Sequence, residues 1–127
     1  NEVFKAIKEK LNAYVGRSFE GVCHEFVIHS KIFSFTRLGR WWHKDKEIDL
    51  IAVNENTKEI LFCECKWQDK ADARKIVAEL QEKAKFVDWH NKNRKEKYCV
   101  FAKSFKEKTV DKSLLLFDLK DLERVFR

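Results

Sequence analysis

The 127-residue sequence has no proline, no methionine and only three glycines, Gly16, Gly21 and Gly39. Without Pro or Gly clusters it has no stretch of linker composition. No repeat or low-complexity run is visible either, so the chain reads as one domain over residues 1–127. No apolar run reaches about 18 residues, which excludes a membrane-spanning helix and gives no reason to expect a membrane partner. No signal-peptide pattern is visible. Cysteines are few, and Cys23, Cys63, Cys65 and Cys99 all lie within apolar stretches rather than loops. Cys63 and Cys65 are two apart in one strand, so they share a face but are poorly placed to bond to each other. The four read as reduced core thiols of an intracellular, cytoplasmic protein. His24, His29, His43 and His90 make no zinc-ligand spacing with them.

What is present is a globular composition, 44% hydrophobic with 11 Phe and 4 Trp, which is enough to build a core without staples. The formal net charge is +6, but 27 basic residues are interspersed with 21 acids instead of forming a tail. That balance is compatible with a nucleic-acid partner and does not establish one. The chain opens on Asn1 rather than Met, and it is expected to be part of a longer protein.

Apolar spacing over Phe4, Ile7, Leu11 and Tyr14 predicts a first helix ending near Gly16. Ser18 is placed to cap a second helix, whose stripe is Phe19, Val22, Cys23, Phe26 and Val27, with Glu20 and His24 beside it one turn apart. "KIFSFTRLGRWW" alternates as a strand, and two more strands follow in "KEIDLIAVNENTKEILFCECKW". A long helix is predicted over residues 69–92, with Ala73, Ile76, Val77, Leu80, Ala84 and Val87 inward. A fourth strand, "EKYCVFAKSF", then a short apolar segment and a helix capped by Asp118 complete the chain. Three strands in succession make a meander, and the long helix crosses over to set the fourth strand parallel to the third. The fold class is α/β, a small mixed sheet flanked by helices.

The hairpin poses a question of charge. A turn centred on Asn56-Thr57 sets Val53 opposite Ile60, Ile51 opposite Phe62, Asp49 opposite Glu64 and Glu47 opposite Lys66, all on one face. Ile48, Leu50 and Ala52, with Leu61, Cys63, Cys65 and Trp67, form the other face, apolar throughout. Opposed residues have Cβ atoms about 5 Å apart, so two acids there repel. Protonation of one carboxyl, neutralisation by Lys66 or a bound divalent cation would each relieve the repulsion.

Asp49 followed by Glu64-Cys65-Lys66 in the next strand resembles the D…(D/E)xK core of the restriction-endonuclease-like, or PD-(D/E)XK, nuclease superfamily. The αβββαβ order over residues 15–105 resembles it too. Glu47-Ile48-Asp49 stands where that name has Pro-Asp. "VGRSFEGVCHEFV", "EIDLIAVNE" and "ILFCECKW" look like the C-terminal domain of unknown function carried by archaeal P-loop ATPases, and archaeal Holliday-junction resolvases share the core more distantly. The resemblance implies a Mg²⁺- or Mn²⁺-dependent DNA endonuclease. Asp49, Glu64, the Cys65 backbone carbonyl and Glu20 would hold the metal, and Lys66 would position or activate the attacking water. Gln81 and Glu47 would support the site; Gln81 and Lys85 lie along one side of the long helix's inward stripe, where a solvated flank is the competing reading and the favoured one for Lys85. It implies DNA as partner, branched forms included, an N-terminal P-loop ATPase domain in the same chain, and pairing into a homodimer as in many such nucleases. Arg37, Arg40, Lys44 and Lys46 are the candidate phosphate contacts, with Trp42 or Trp41 to stack on a base. One of these two Trp should be core, because strand neighbours point to opposite faces. "HNKNRKEK" reads as a solvated basic loop. The competing expectation is a catalytically inactive DNA-binding or ATPase-docking module on the same fold, its acids kept as an ion cluster.

Overall fold

Five strands and three helices are laid out in a computed structural model that describes residues 17–108, 111 and 113–125. The order is α1 (Arg17–Ser30), β1 (Arg37–His43), β2 (Lys46–Asn54), β3 (Glu59–Lys66), α2 (Ala73–Ala84), β4 (Lys95–Ala102), β5 (Leu114–Phe117) and α3 (Leu119–Val125). The helix expected over Phe4 to Tyr14 lies outside the described residues. The strands form one sheet in the order β1-β2-β3-β4-β5. The first three are antiparallel, and β3, β4 and β5 are parallel. The mixed α/β sheet expected from the sequence is present, and the short apolar segment is its fifth strand.

Alternation along the strands builds two cores. Leu50, Ala52, Leu61, Cys63, Cys99 and Phe101 meet Phe19, Val22, Cys23, Phe26 and Val27 of α1 and Leu122 of α3. Ile48, Val53, Ile60, Phe62 and Tyr98 meet Leu80 and Ala84 of α2 and Val87 beyond it. The sheet is thus covered on both faces, as a parallel crossover requires. The helix α1 starts at Arg17, so Ser18 lies in its first turn rather than at its cap. The capping expected of Asp118 is present and reciprocal: Asp118 Oδ1 accepts from the Asp121 amide at 3.1 Å, and Asp121 Oδ2 accepts from the Asp118 amide at 2.9 Å. All four cysteines are free, and no helix among the described residues is long and apolar enough to cross a membrane.

The β2–β3 register agrees with the turn-based reading from Asn54↔Glu59 to Leu50↔Cys63. Asn54 anchors that turn, its Oδ1 accepting from the Asn56 and Thr57 amides and its Nδ2 donating to the Ser34 carbonyl. The pairing closes at Leu50↔Cys63, however, so the expected Asp49–Glu64 and Glu47–Lys66 pairs are not formed. The reason lies on the other side of β2. Between Gly39↔Ile51 and Trp41↔Ile48 the register of β1 on β2 slips, and β2 carries one residue more than β1. This bulge turns Ile48 to the α2 side, away from Leu50 and Ala52 with which strict alternation grouped it.

Two elements are shorter than expected. Residues 31–36 precede β1 outside the strand, joined to β2 by the Thr36 amide, which donates to the Val53 carbonyl at 2.8 Å, while Phe33 is buried and Ile32 and Phe35 pack on the core. The long helix runs only from Ala73 to Ala84, capped at its start by Asp72, whose Oδ1 accepts from the Lys75 amide at 3.2 Å. Apolar periodicity continues to Val87, but a distant side chain stops the helix. Arg94, 5% exposed, donates to the carbonyls of Ala84, Val87 and Trp89 at 2.9, 2.7 and 3.1 Å, and to Glu96 at 2.8 Å. The Ala84 carbonyl is one of those a helix leaves short of partners at its C-terminus, and those of Val87 and Trp89 belong to the segment that turns away from it. So the "basic loop" holds a structural arginine. Arg94→Ala is expected to cost about 3 kcal/mol in urea denaturation, with Arg94→Lys recovering only part, because lysine lacks the fork.

Candidate active site

The bulge has a local chemical consequence. Where β2 and β3 stop pairing, Asp49 Oδ2 accepts from the Cys65 amide at 2.8 Å. The carboxylate replaces a backbone carbonyl there and holds the Cys65 backbone, whose own carbonyl was the expected metal ligand, against the acids. Glu20, from the first turn of α1, lies near enough to Asp49 for the two charges to repel. A proton or a cation between two such carboxyls relieves the repulsion. Burial first, then the charge of Asp49, pushes the Glu20 carboxyl above the usual range, and the Arg40 guanidinium opposes the shift.

Glu64 sits on the α2 side of β3 and is 4% exposed. Burial is the larger cause and the charge of Asp49 the second in raising its carboxyl from 4.5 to about 7. Lys83 and Lys66 act against that rise, with Lys83 Nζ 3.3 Å from Oε1 and Lys66 Nζ 3.8 Å from Oε2. The expected repulsion is therefore present although the expected pairing is not: Asp49 raises both Glu20 and Glu64. Three elements deliver three acids to one end of the sheet, with Lys66 alongside, as the sequence suggested.

Other expectations need correction. Gln81 and Lys85 do not face the acids: Gln81 is exposed, and Lys85 Nζ bonds Glu82 at 3.0 Å. The residue of α2 that reaches the site is Lys83. Its signal was in the sequence, because Lys83 follows Leu80 by three and sits beside Ala84, at the border of the inward stripe. Glu47 does not face Lys66. It lies opposite Trp42 on β1, with its Oε2 3.8 Å from Arg40. His24, one turn from Glu20, has its Nε2 buried without a hydrogen-bond partner among the described residues.

The basic residues divide. Arg40 is a site residue as much as a surface one, its guanidinium 3.8 Å from Glu20 Oε2. Arg37 lies at the far end of β1 and pairs with Glu55 at 2.7 Å. Lys44 occupies the two-residue β1–β2 turn at φ 57°, and Lys46 places its Nζ 4.5 Å above the Phe86 ring. Trp42 is 72% exposed while Trp41 packs on the α2-side core, the division expected of strand neighbours.

The donor set is all carboxylate oxygen, which suits a hard divalent cation. Among the described residues no three of His, Cys, Asp and Glu close into a metal cage. Mg²⁺ is commonly held by one or two carboxylates and several waters, so the neighbouring Glu20 and Asp49 carboxyls fit it without such a cage.

Comparison with known proteins is consistent with a piece of a larger chain. An uncharacterised protein of Methanocaldococcus jannaschii is 42% identical over 122 residues, covering 91% of this chain but 27% of that relative's own length. No solved structure matches. Residues 1–76 match DUF234, described as archaeal and bacterial proteins of unknown function. By that match, which takes in α1, β1, β2 and β3 with Glu20, Asp49 and Glu64, the chain belongs to the DUF234 family.

Proposed function

We propose that this chain is a metal-dependent DNA endonuclease domain of the restriction-endonuclease-like kind, working within a longer protein that also carries an ATPase. The observation that supports it most is the convergence of Glu20, Asp49 and Glu64, from a helix and two strands, beside Lys66 and Lys83. Mg²⁺ or Mn²⁺ bound there would neutralise phosphate charge and make a bound water easier to deprotonate. Asp49 holds the cation side of the site and, through the Cys65 amide, its backbone wall. Glu20 shares that load. Lys66 stands within reach of a water or a leaving oxygen held by the acids, and Lys83 keeps Glu64 oriented. The exposed Trp42, with Arg40, Lys44 and Lys46 toward the β1–β2 turn, offers contacts to a DNA backbone at the same end of the sheet.

One observation favours a second reading. Glu64 already has two lysines within 4.0 Å, an arrangement that also suits an ion cluster in a non-catalytic DNA-binding or ATPase-docking module.

Cleavage separates the two. Supercoiled, branched and single-stranded DNA should each be incubated with the chain and Mg²⁺ or Mn²⁺. Asp49→Ala and Lys66→Ala are expected to lower cleavage by about 10²-fold or more; equal cleavage by both variants rules the reading out.

Proton linkage gives a second measurement. Unfolded, Glu64 titrates near 4.5, and folded near 7. Between those values the folded chain holds the extra proton, so this group's contribution to stability falls as pH rises through the window. The urea midpoint of the native chain is expected to drop across it, and that of Glu64→Gln to drop less. Above pH 7, Mg²⁺ is expected to raise the native midpoint and leave that of Asp49→Ala unchanged.

A further inference from the structure

A groove opens on the α2 side of the sheet, between β1 and the segment that follows α2. It has a volume of about 330 Å³. Its floor is apolar, made by Ile51, Val53 and Ile60, and its walls are the indoles of Trp41 and Trp89. Arg37 stands on one rim and Asp88 on the other. That volume lies at the small end of ligand pockets, the scale of one ring system rather than a helix or a strand.

The groove exists because residue 39 is glycine. Arg37, Gly39 and Trp41 share a face of β1, and Gly39 pairs with Ile51, which lines the groove. A Cβ built at Gly39 meets nothing within 4 Å, so packing does not require glycine there. Its backbone does not require it either, since φ lies outside the left-handed region. Glycine weakens a strand; here it stands at the register slip between Gly39 and Trp41, and its lack of a side chain leaves the groove open over Ile51.

The walls are held in place before anything binds. Glu55 Oε1 accepts from Arg37 at 2.7 Å and from Trp89 Nε1 at 3.4 Å, tying one rim to one wall. At the other end, Trp41 pairs with Ile48, the neighbour of Asp49, so the groove ends close to the candidate active site, while Arg40 turns its guanidinium to Glu20 and Glu47 on the other face of β1.

We infer that this groove receives one unpaired base of a DNA strand whose backbone lies at the Glu20–Asp49–Glu64 site; the inference rests on the nuclease reading of that site and names its substrate as DNA with a single-stranded portion. An apolar floor between two indoles accepts the π-face of a base, which is available only when the base is out of a duplex. The Asp88 carboxylate disfavours a phosphate in the groove and can accept from the amino groups of a base. Arg37 on the rim is placed for one flanking phosphate, and Arg40, on the other face of β1, for one nearer the acids.

The test is binding without cleavage. In EDTA, fluorescence anisotropy should compare a short labelled single strand with the duplex of the same sequence, for the native chain and for Gly39→Leu, whose side chain fills the groove. The native chain is expected to prefer the single strand. Gly39→Leu is expected to weaken single-strand binding about tenfold or more, the loss of one stacked base, and to leave duplex binding as it was. Equal affinity of the native chain for both forms, or an undiminished single-strand affinity in Gly39→Leu, overturns the inference. Should Gly39→Leu not melt cooperatively, tryptophan quenching decides instead. The single strand should quench the native chain, and Trp41→Phe and Trp89→Phe should remove part of that quenching; a quench untouched by both overturns it. Because EDTA silences the metal site, loss of the groove effect with cleavage intact refutes the groove alone. Intact single-strand binding in a chain that never cleaves refutes the nuclease reading alone.

Discussion

Where β2 and β3 part, the carboxylate of Asp49 takes the place of a main-chain acceptor and receives the Cys65 amide. The geometry of the candidate site follows from that substitution. It ties the two strands together one step beyond their last backbone pair, and it fixes a charged group at the mouth of an otherwise apolar sheet. Glu20 from α1 and Glu64 from β3 then have to share space with it, and burial first, with the charge of Asp49 second, raises both carboxyls above their ordinary range. An acid cluster in this state is poised to take up a proton or a cation. The two lysines at Glu64 offset part of the charge there, and Arg40 offsets part of it at Glu20.

The bulge in β2 is what allows this arrangement. A regular β2 would carry Ile48 and Leu50 into the same core. With one extra residue against β1, Ile48 packs on the α2 side and Leu50 on the α1 side. Asp49 lies between them, where it can reach the Cys65 backbone and Glu20 together. Bulges re-aim side chains in this way beside functional sites. On β1, directly across from this irregularity, Gly39 and Trp41 shape the groove on the α2 side of the sheet. One local irregularity thus separates the two faces, sets the acids and borders the groove.

The end of α2 shows a second constraint of long range. Propensity and periodicity carry that helix past Val87, yet it stops at Ala84 because Arg94 collects the carbonyls that the next turn would have used. The chain then folds back, bringing Trp89 over the sheet and leaving Lys83, in the last turn, directed at Glu64. A helix continued to residue 92 would carry Trp89 away from the groove.

By itself the sequence determined the α/β class, the strand order up to the crossover, the two-sided burial of the sheet and the register of the β2–β3 turn. Each follows from local periodicity and turn chemistry, which a single chain displays residue by residue. It also singled out Glu20, Asp49, Glu64 and Lys66 as one group, because acids inside apolar strands are conspicuous. Tertiary structure alone decided how those acids meet: through a bulge and a side-chain-to-backbone bond rather than as a cross-strand pair. It also chose Lys83 over Gln81, assigned Arg40 to the site and Arg37 to Glu55, and opened the groove at Gly39. These outcomes depend on which backbone groups are left unpaired once distant segments pack, and a pattern of residue types along one chain does not record that.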